Sequence, residues 1–220
     1  MLSQLRTSRI GSQDLQFIRL SGTIAVVPER RYSIKVPSVT SRGYVVVDTE
    51  TTGTGADSRV VEIGLVFVSP RGSIEKTFNT LLYGDGNSGS FGAKRVHHIR
   101  NSDLIGAPKF SQIAPALLRA VDGRILFAHN AAFDLQRINH ELQLARRRKI
   151  GRMGCTMRLG VHLGYGKMKL ERAVEEFDLF HQIPHQALDD ALATAELLQH
   201  YMKRHRNEFR EYLITNGLAD

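Results

Sequence analysis

One cysteine, Cys155, is present in 220 residues. That excludes an internal disulfide framework and suits a reducing compartment, so a cytoplasmic protein is expected. Long apolar runs are missing too. Stretches such as residues 65–68 are far too short to cross a bilayer, and no membrane partner is expected. Cysteine and histidine form no cluster that would offer a zinc site. No internal repeat is visible. Acids are scarce at the start: residues 1–43 hold seven basic side chains against Asp14 and Glu29.

What is present is ordinary for a globular chain, with 42% hydrophobic and 24% charged residues and length enough for one sizeable domain or one domain plus an appendage. The exception is charge. Thirty Lys and Arg against 22 Asp and Glu give +8, a surplus that points to polyanionic partners. Much of it lies early in the chain. Residues 1–42 are read as a basic, partly ordered arm, residues 43–205 as the main domain and residues 206–220 as a C-terminal tail. The arm contains Arg and Ser and lacks an apolar core of signal-peptide length, so an organelle transit peptide is its competing reading.

Hydrophobic patterning places strands over residues 43–49, 59–70 and 72–83, the last two joined by the turn Ser69-Pro70-Arg71-Gly72. Glycine-rich residues 84–94 read as a mobile loop. A helix is expected over 111–121, with Ile113, Leu117 and Val121 on one face, then a buried strand over 123–129. Further helices are expected over 131–147, 169–177 and 186–205. A hairpin followed by alternating strand and helix indicates an α/β fold with a mixed sheet.

The run "YVVVDTETTG" (44–53) poses a physical problem. Valines suit a buried strand, yet the strand closes on Asp48 and Glu50, which project to the same face. Two adjacent like charges need a cation. Other acids at element ends could share it. Asp134 falls in the first turn of a helix and shares a face with Ile138, Leu142 and Ala145; an acid near a helix N-terminus also suits the dipole without any ligand. In "HQALDDALATAELL" (185–198), Asp190 lies on the small-residue face with Ala187, Ala191 and Thr194. Asp189 aligns instead with Ala193, Glu196 and His200 on an expected solvated face. His185 precedes Asp190 by five residues, where the chain enters the helix. Hard carboxylate oxygens select Mg²⁺ or Mn²⁺. Two such ions suit phosphoryl displacement, with a near-neutral histidine to take a proton from water.

The segments "VVVDTETTG", "AHNAAFDLQ" and "HQALDDALATAEL", in this order, resemble the motifs of the DnaQ-like 3′→5′ exonucleases, the superfamily of the bacterial proofreading epsilon subunit. The histidine five residues before the last aspartate resembles the histidine-type (DEDDh) subgroup. The resemblance implies a ribonuclease H-like fold, with a central mixed five-stranded sheet flanked by helices. It implies metal ligation by Asp48, Glu50, Asp134 and Asp190, two Mg²⁺ or Mn²⁺ ions, and His185 as general base. It further implies that Thr49, Thr51, Thr52, His97, Asn130 and Phe133 hold the terminal nucleotide. "VHHI" (96–99) is similar to the family's V-H-G-I with His98 in place of glycine, and Thr54 replaces a common leucine.

The function implied is removal of nucleoside 5′-monophosphates from the 3′ end of single-stranded DNA, in proofreading or repair, with DNA polymerase subunits as further partners. Trimming of RNA 3′ ends is the enzymatic alternative, since discrimination rests on contacts to the 2′-hydroxyl. A non-catalytic module binding nucleic acid or a polymerase is the alternative of another class. Two leftovers have plain readings. "ARRRK" (145–149) could track a phosphate backbone or simply close a helix with cations. Cys155 reads as buried filler.

Overall fold

The computed structural model describes residues 43–55, 57–183 and 185–219. The expected arm over residues 1–42 lies outside them. Strand β1 (Tyr44–Thr51) is flanked by β2 (Val60–Val68) and β4 (Ile125–Ala128) in a five-stranded sheet of order β3-β2-β1-β4-β5, where β3 spans Ile74–Leu81 and β5 Gly154–Cys155. The first three strands form an antiparallel meander, whereas β1, β4 and β5 run parallel. The sheet is therefore mixed, as expected. The β2–β3 turn falls where proline and glycine placed it, closed by Gly72 N–H donating to Ser69 O at 2.9 Å.

Alternation along β1 divides the core. Val45 and Val47 face one layer with helices α2 (Phe110–Val121) and α3 (Ala131–Leu144), whose Ile113, Leu117, Ile138 and Leu142 are buried there. Val46 faces the opposite layer, built from α4 (Thr156–His162), α5 (Leu170–Glu176), α6 (Ala187–Arg204) and α7 (Arg206–Thr215). All nine residues of β2 are buried because both layers cover it. Each large side chain so enclosed contributes on the order of 1.5–3 kcal/mol.

Several elements differ from the sequence reading. The glycine-rich segment is no simple loop. It contains a 3₁₀ turn (Gly84–Gly86) and helix α1 (Phe91–His97), capped by the Ser90 hydroxyl accepting from Ala93 N–H. The expected tail contains α7, with Phe209, Tyr212 and Leu213 buried among core residues. Strand β5 and helix α4 were not anticipated. Helix α3 ends at Leu144 rather than Arg147, with Arg146 in the left-handed region at φ 52°. No helix among the described residues is long and apolar enough to cross a membrane.

A buried ion pair ties α3 to the sheet. Arg59 donates to both carboxylate oxygens of Glu141 at 2.8 and 2.9 Å, and Val60 N–H donates to the same carboxylate at 3.0 Å. Glu141 is 1% exposed, and breaking the pair by removing Arg59 would leave its carboxylate buried with most of its donors gone, a costly arrangement.

Candidate metal-dependent active site

The site lies where the parallel strands end. β1 pairs with β4 only from Tyr44 to Val46, and β4 stops at Ala128, so the last residues of β1 border an open crevice. Crevices at the carboxyl ends of parallel strands, where topology changes direction, are the usual ligand sites of such sheets. A cleft of about 280 Å³ lies here, lined by Asp48, Glu50, Asp134, His185 and Asp190 among others.

The four acids reach it from two sides. Asp48 and Glu50 share the β1 face that meets α6, and each can place an oxygen within 4.8 Å of the others and of Asp190. Asp134 belongs to α3 in the other layer. The Thr49 hydroxyl, on the alternate face of β1, donates to Asp134 Oδ1 at 2.8 Å and fixes its side chain. The tight cluster is thus a trio, with Asp134 lining the same cleft from across the sheet. Asp190 is the more buried of the two aspartates, at 7% exposed, but the face of Asp189 is not the solvated one expected: Ala193 is buried, and Asp189, Glu196 and His200 are half-buried, because the chain around Phe177 to His181 packs over it.

Electrostatics favour a cation. Burial pushes Asp48 well above the usual carboxyl range, and the negative charges of Asp134, Asp190, Glu50 and Glu62 push it further. Burial and Asp190 raise Glu50 to about 8. Asp134 is raised to about 7 by burial, against the opposing hydrogen bond from Thr49. Asp190 is also raised to about 7, by burial and then by Glu171. Asp190 Oδ1 is buried with no hydrogen-bond partner among the described residues, an arrangement that is costly unless something binds it. An all-carboxylate set with an orphaned oxygen fits a hard divalent cation.

His185 stands at the entrance. Its side chain is 42% exposed and its Nδ1 lies 3.9 Å from Asp190 Oδ2. It adopts φ 55°, a left-handed conformation that turns the chain into α6.

The expected nucleotide contacts divide. Asn130 and Phe133, at the start of α3, line the cleft, as does Thr49. Thr51, Thr52 and His97 do not line it. The Thr51 hydroxyl donates to Gly53 O, Thr52 Oγ1 accepts from Arg59 N–H, and buried His97 Nδ1 accepts from Ile99 N–H. Their polar atoms shape the backbone beside the site. His98, which replaces the family's glycine, sits in the left-handed region at φ 59°. That conformation costs a non-glycine residue on the order of 1–2 kcal/mol, which explains why glycine suits the position.

Sequence reading missed other residues of the cleft. Glu171 and Lys169, at the start of α5, line it, and so does Val96 of α1. Glu171 sits in a first helical turn, where an acid is explained by the dipole alone. Glu62 was also missed. It stands opposite Glu50 in the β1–β2 register, and its carboxylate accepts from Ala187 N–H at 3.2 Å and Asn79 Nδ2 at 2.9 Å. It thereby anchors the first turn of α6, which carries Asp190.

Gly64 completes that anchorage. A Cβ there would fall 2.3 Å from Ala187 O and 2.6 Å from Leu188 N, both backbone atoms. Gly64→Ala is expected to push the first turn of α6 away from β2. A loss of about 1–3 kcal/mol in a denaturation curve should accompany reduced turnover. Unchanged turnover would mean that Asp190 tolerates the displacement.

The comparisons agree with this geometry. Residues 45–198 match the RNase_T family model, described as exonuclease. The chain belongs to that exonuclease family. The DNA polymerase III subunit epsilon of Treponema pallidum (strain Nichols) is 30% identical over 171 residues, covering 75% of this chain and 79% of that protein. Among solved structures, E. coli Exonuclease I in complex with a dA16 oligonucleotide superposes with TM-score 0.68 at 16% identity, over 78% of this chain and 43% of that one. The nuclease domain of 3′hExo, a DEDDh family member bound to rAMP, gives 0.60 at 17% identity, over 74% and 92%. At such identities the structural likeness concerns the fold, which is the ribonuclease H-like one expected. The family match and the epsilon relative support the DnaQ-like 3′→5′ exonuclease resemblance and identify the chain as an enzyme of that kind.

Proposed function

We propose that this exonuclease removes nucleotides from the 3′ end of single-stranded DNA, releasing nucleoside 5′-monophosphates, in proofreading or repair. The observation that carries the reading is the convergence of Asp48, Glu50 and Asp190 within 4.8 Å at a cleft also lined by Asp134 and His185. Likeness to a polymerase III epsilon subunit supports DNA as substrate and polymerase subunits as partners.

Asp48, Glu50, Asp190 and Asp134 would hold two Mg²⁺ or Mn²⁺ ions. Bound there, the ions would supply charge stabilisation for attacking and leaving oxygens of an in-line displacement. The protein's own residues do the rest. Asn130 and Phe133 hold the terminal nucleotide where α3 begins, an end whose dipole favours phosphate. Lys169 adds a cation to the cleft wall. His185, half in solvent, accepts the proton of the attacking water and passes it outward.

Turnover of 5′-labelled single-stranded DNA and RNA oligomers, with Mg²⁺ and with chelator, tests the reading. Stepwise 3′ shortening of DNA, absent with chelator, is expected. Faster shortening of RNA would assign the enzyme to RNA trimming. Tight binding without hydrolysis of either would make it a binding module.

A further inference from the structure

Helix α1 is held rigidly against the catalytic strand, yet its outer face has no partner among the described residues. Ser90 N–H donates to Thr52 O at 3.0 Å, two residues past Glu50. A Cβ on Gly89 would lie 2.4 Å from that same carbonyl oxygen, and Gly89 takes φ 118°, so only glycine permits the close approach. Behind the helix, His97 is 4% exposed. The element is tied to the end of β1 at its N-terminus and packs its His97 side inward.

Two of its faces carry different chemistry. Val96 lines the catalytic cleft. Arg95 is one helical step of about 100° around the axis from Val96, and one turn before it Phe91 is 79% exposed, with the Arg95 guanidinium 5.9 Å from the Phe91 ring centroid. Lys94 and His98 flank this ridge, and α1 contains no acid. An exposed phenylalanine is costly in water. With cations beside it, the ridge combines an aromatic surface and positive charge, the two components that bind single-stranded nucleic acid without sequence preference.

We infer that the Phe91–Arg95 ridge of α1 is a strand-holding subsite, where a base upstream of the scissile bond stacks on Phe91 while Arg95 meets its phosphate. The inference rests on the proposed nuclease function, and it adds a second point of attachment outside the cleft. A strand whose 3′ end enters past Val96 passes over this ridge on leaving. Its consequence is dependence on substrate length: a mononucleotide ester fills the cleft alone, while an oligomer also engages α1.

Fluorescence anisotropy of a labelled single-stranded 15-mer without divalent ions, alongside steady-state turnover of that 15-mer and of p-nitrophenyl thymidine 5′-monophosphate, tests this. Phe91→Ala is expected to weaken 15-mer binding and raise its KM roughly 5- to 100-fold. Its kcat/KM on the ester should stay within about twofold of the parent, with Phe91→Tyr restoring 15-mer binding. Arg95→Gln is expected to flatten the salt dependence of 15-mer affinity by about one counterion. Equal losses on oligomer and ester, or no loss on the oligomer, would overturn the subsite; the latter would leave Phe91 to some other surface contact. If the parent hydrolyses neither substrate, the nuclease reading fails, while anisotropy still decides whether α1 binds the strand.

Discussion

His185→Gly is expected to lower turnover about 10²- to 10⁴-fold, the usual contribution of a positioned proton acceptor. Glycine is the informative replacement. His185 sits at φ 55°, where alanine would add backbone strain and glycine adds none. Loss of activity therefore reports the missing imidazole rather than a distorted entry to α6. Binding of Mn²⁺, followed by calorimetry, is expected to stay close to the parent's, because the Asp48–Glu50–Asp190 cluster remains intact. Imidazole added to the buffer should restore part of the rate. A variant that keeps full turnover would remove His185 from the chemistry.

Without divalent ions, the folded protein is expected to lose stability steadily as pH rises from about 4 to about 8. The site carboxyls have ordinary values of 3.8 to 4.5, and in the fold Asp134 and Asp190 rise to about 7 and Glu50 to about 8. Between those limits the folded chain holds protons that the unfolded chain has released, so their stabilisation is complete at low pH and is lost as pH climbs through the folded values. The thermal midpoint without divalent ions is expected to fall by on the order of 5–10 °C between pH 5 and pH 8. If the ionised oxygens take up a divalent ion, millimolar Mg²⁺ or Mn²⁺ is expected to raise the midpoint more at pH 8 than at pH 6. Chelation should remove that gain and the turnover together. A midpoint that rises with pH without divalent ions would mean the acids are already compensated by the protein.

Much of this site was legible before any coordinates. Asp190 is separable from Asp189 because it lies on the stripe of Ala187, Ala191 and Thr194 and is the more buried of the two, although Ala193 on the Asp189 side is buried as well. Asp134 was marked by its place on the stripe with Ile138 and Leu142, both of which are buried in the layer it shares. Strands β1 to β3 and the long helices followed from valine runs and periodicity. The failures have local causes. In α1, glycines at 89 and 92 outweighed the cap that Ser90 provides. Helix α7 carried its signal in Phe209, Tyr212 and Leu213, spaced at i, i+3 and i+4, but a neighbouring helix ending at Arg204 made the remainder look like a trailing end. Strand β5 has two residues and no period to detect. The part played by Glu62 could not be read at all, because it depends on which helix start lies against β2.

Asp134 and the Asp48–Glu50–Asp190 trio are fastened to opposite sides of a single sheet, and the sheet is their shared gauge. The gap between them is adjusted by how tightly α3 beds down on one side and α6 on the other. A conservative change deep in either seam, such as Leu142→Val or Ala191→Ser, would therefore act like a set screw. It would alter the span across the crevice without replacing any of the four acids, and the ratio of turnover with Mg²⁺ to turnover with Mn²⁺ is expected to report the change.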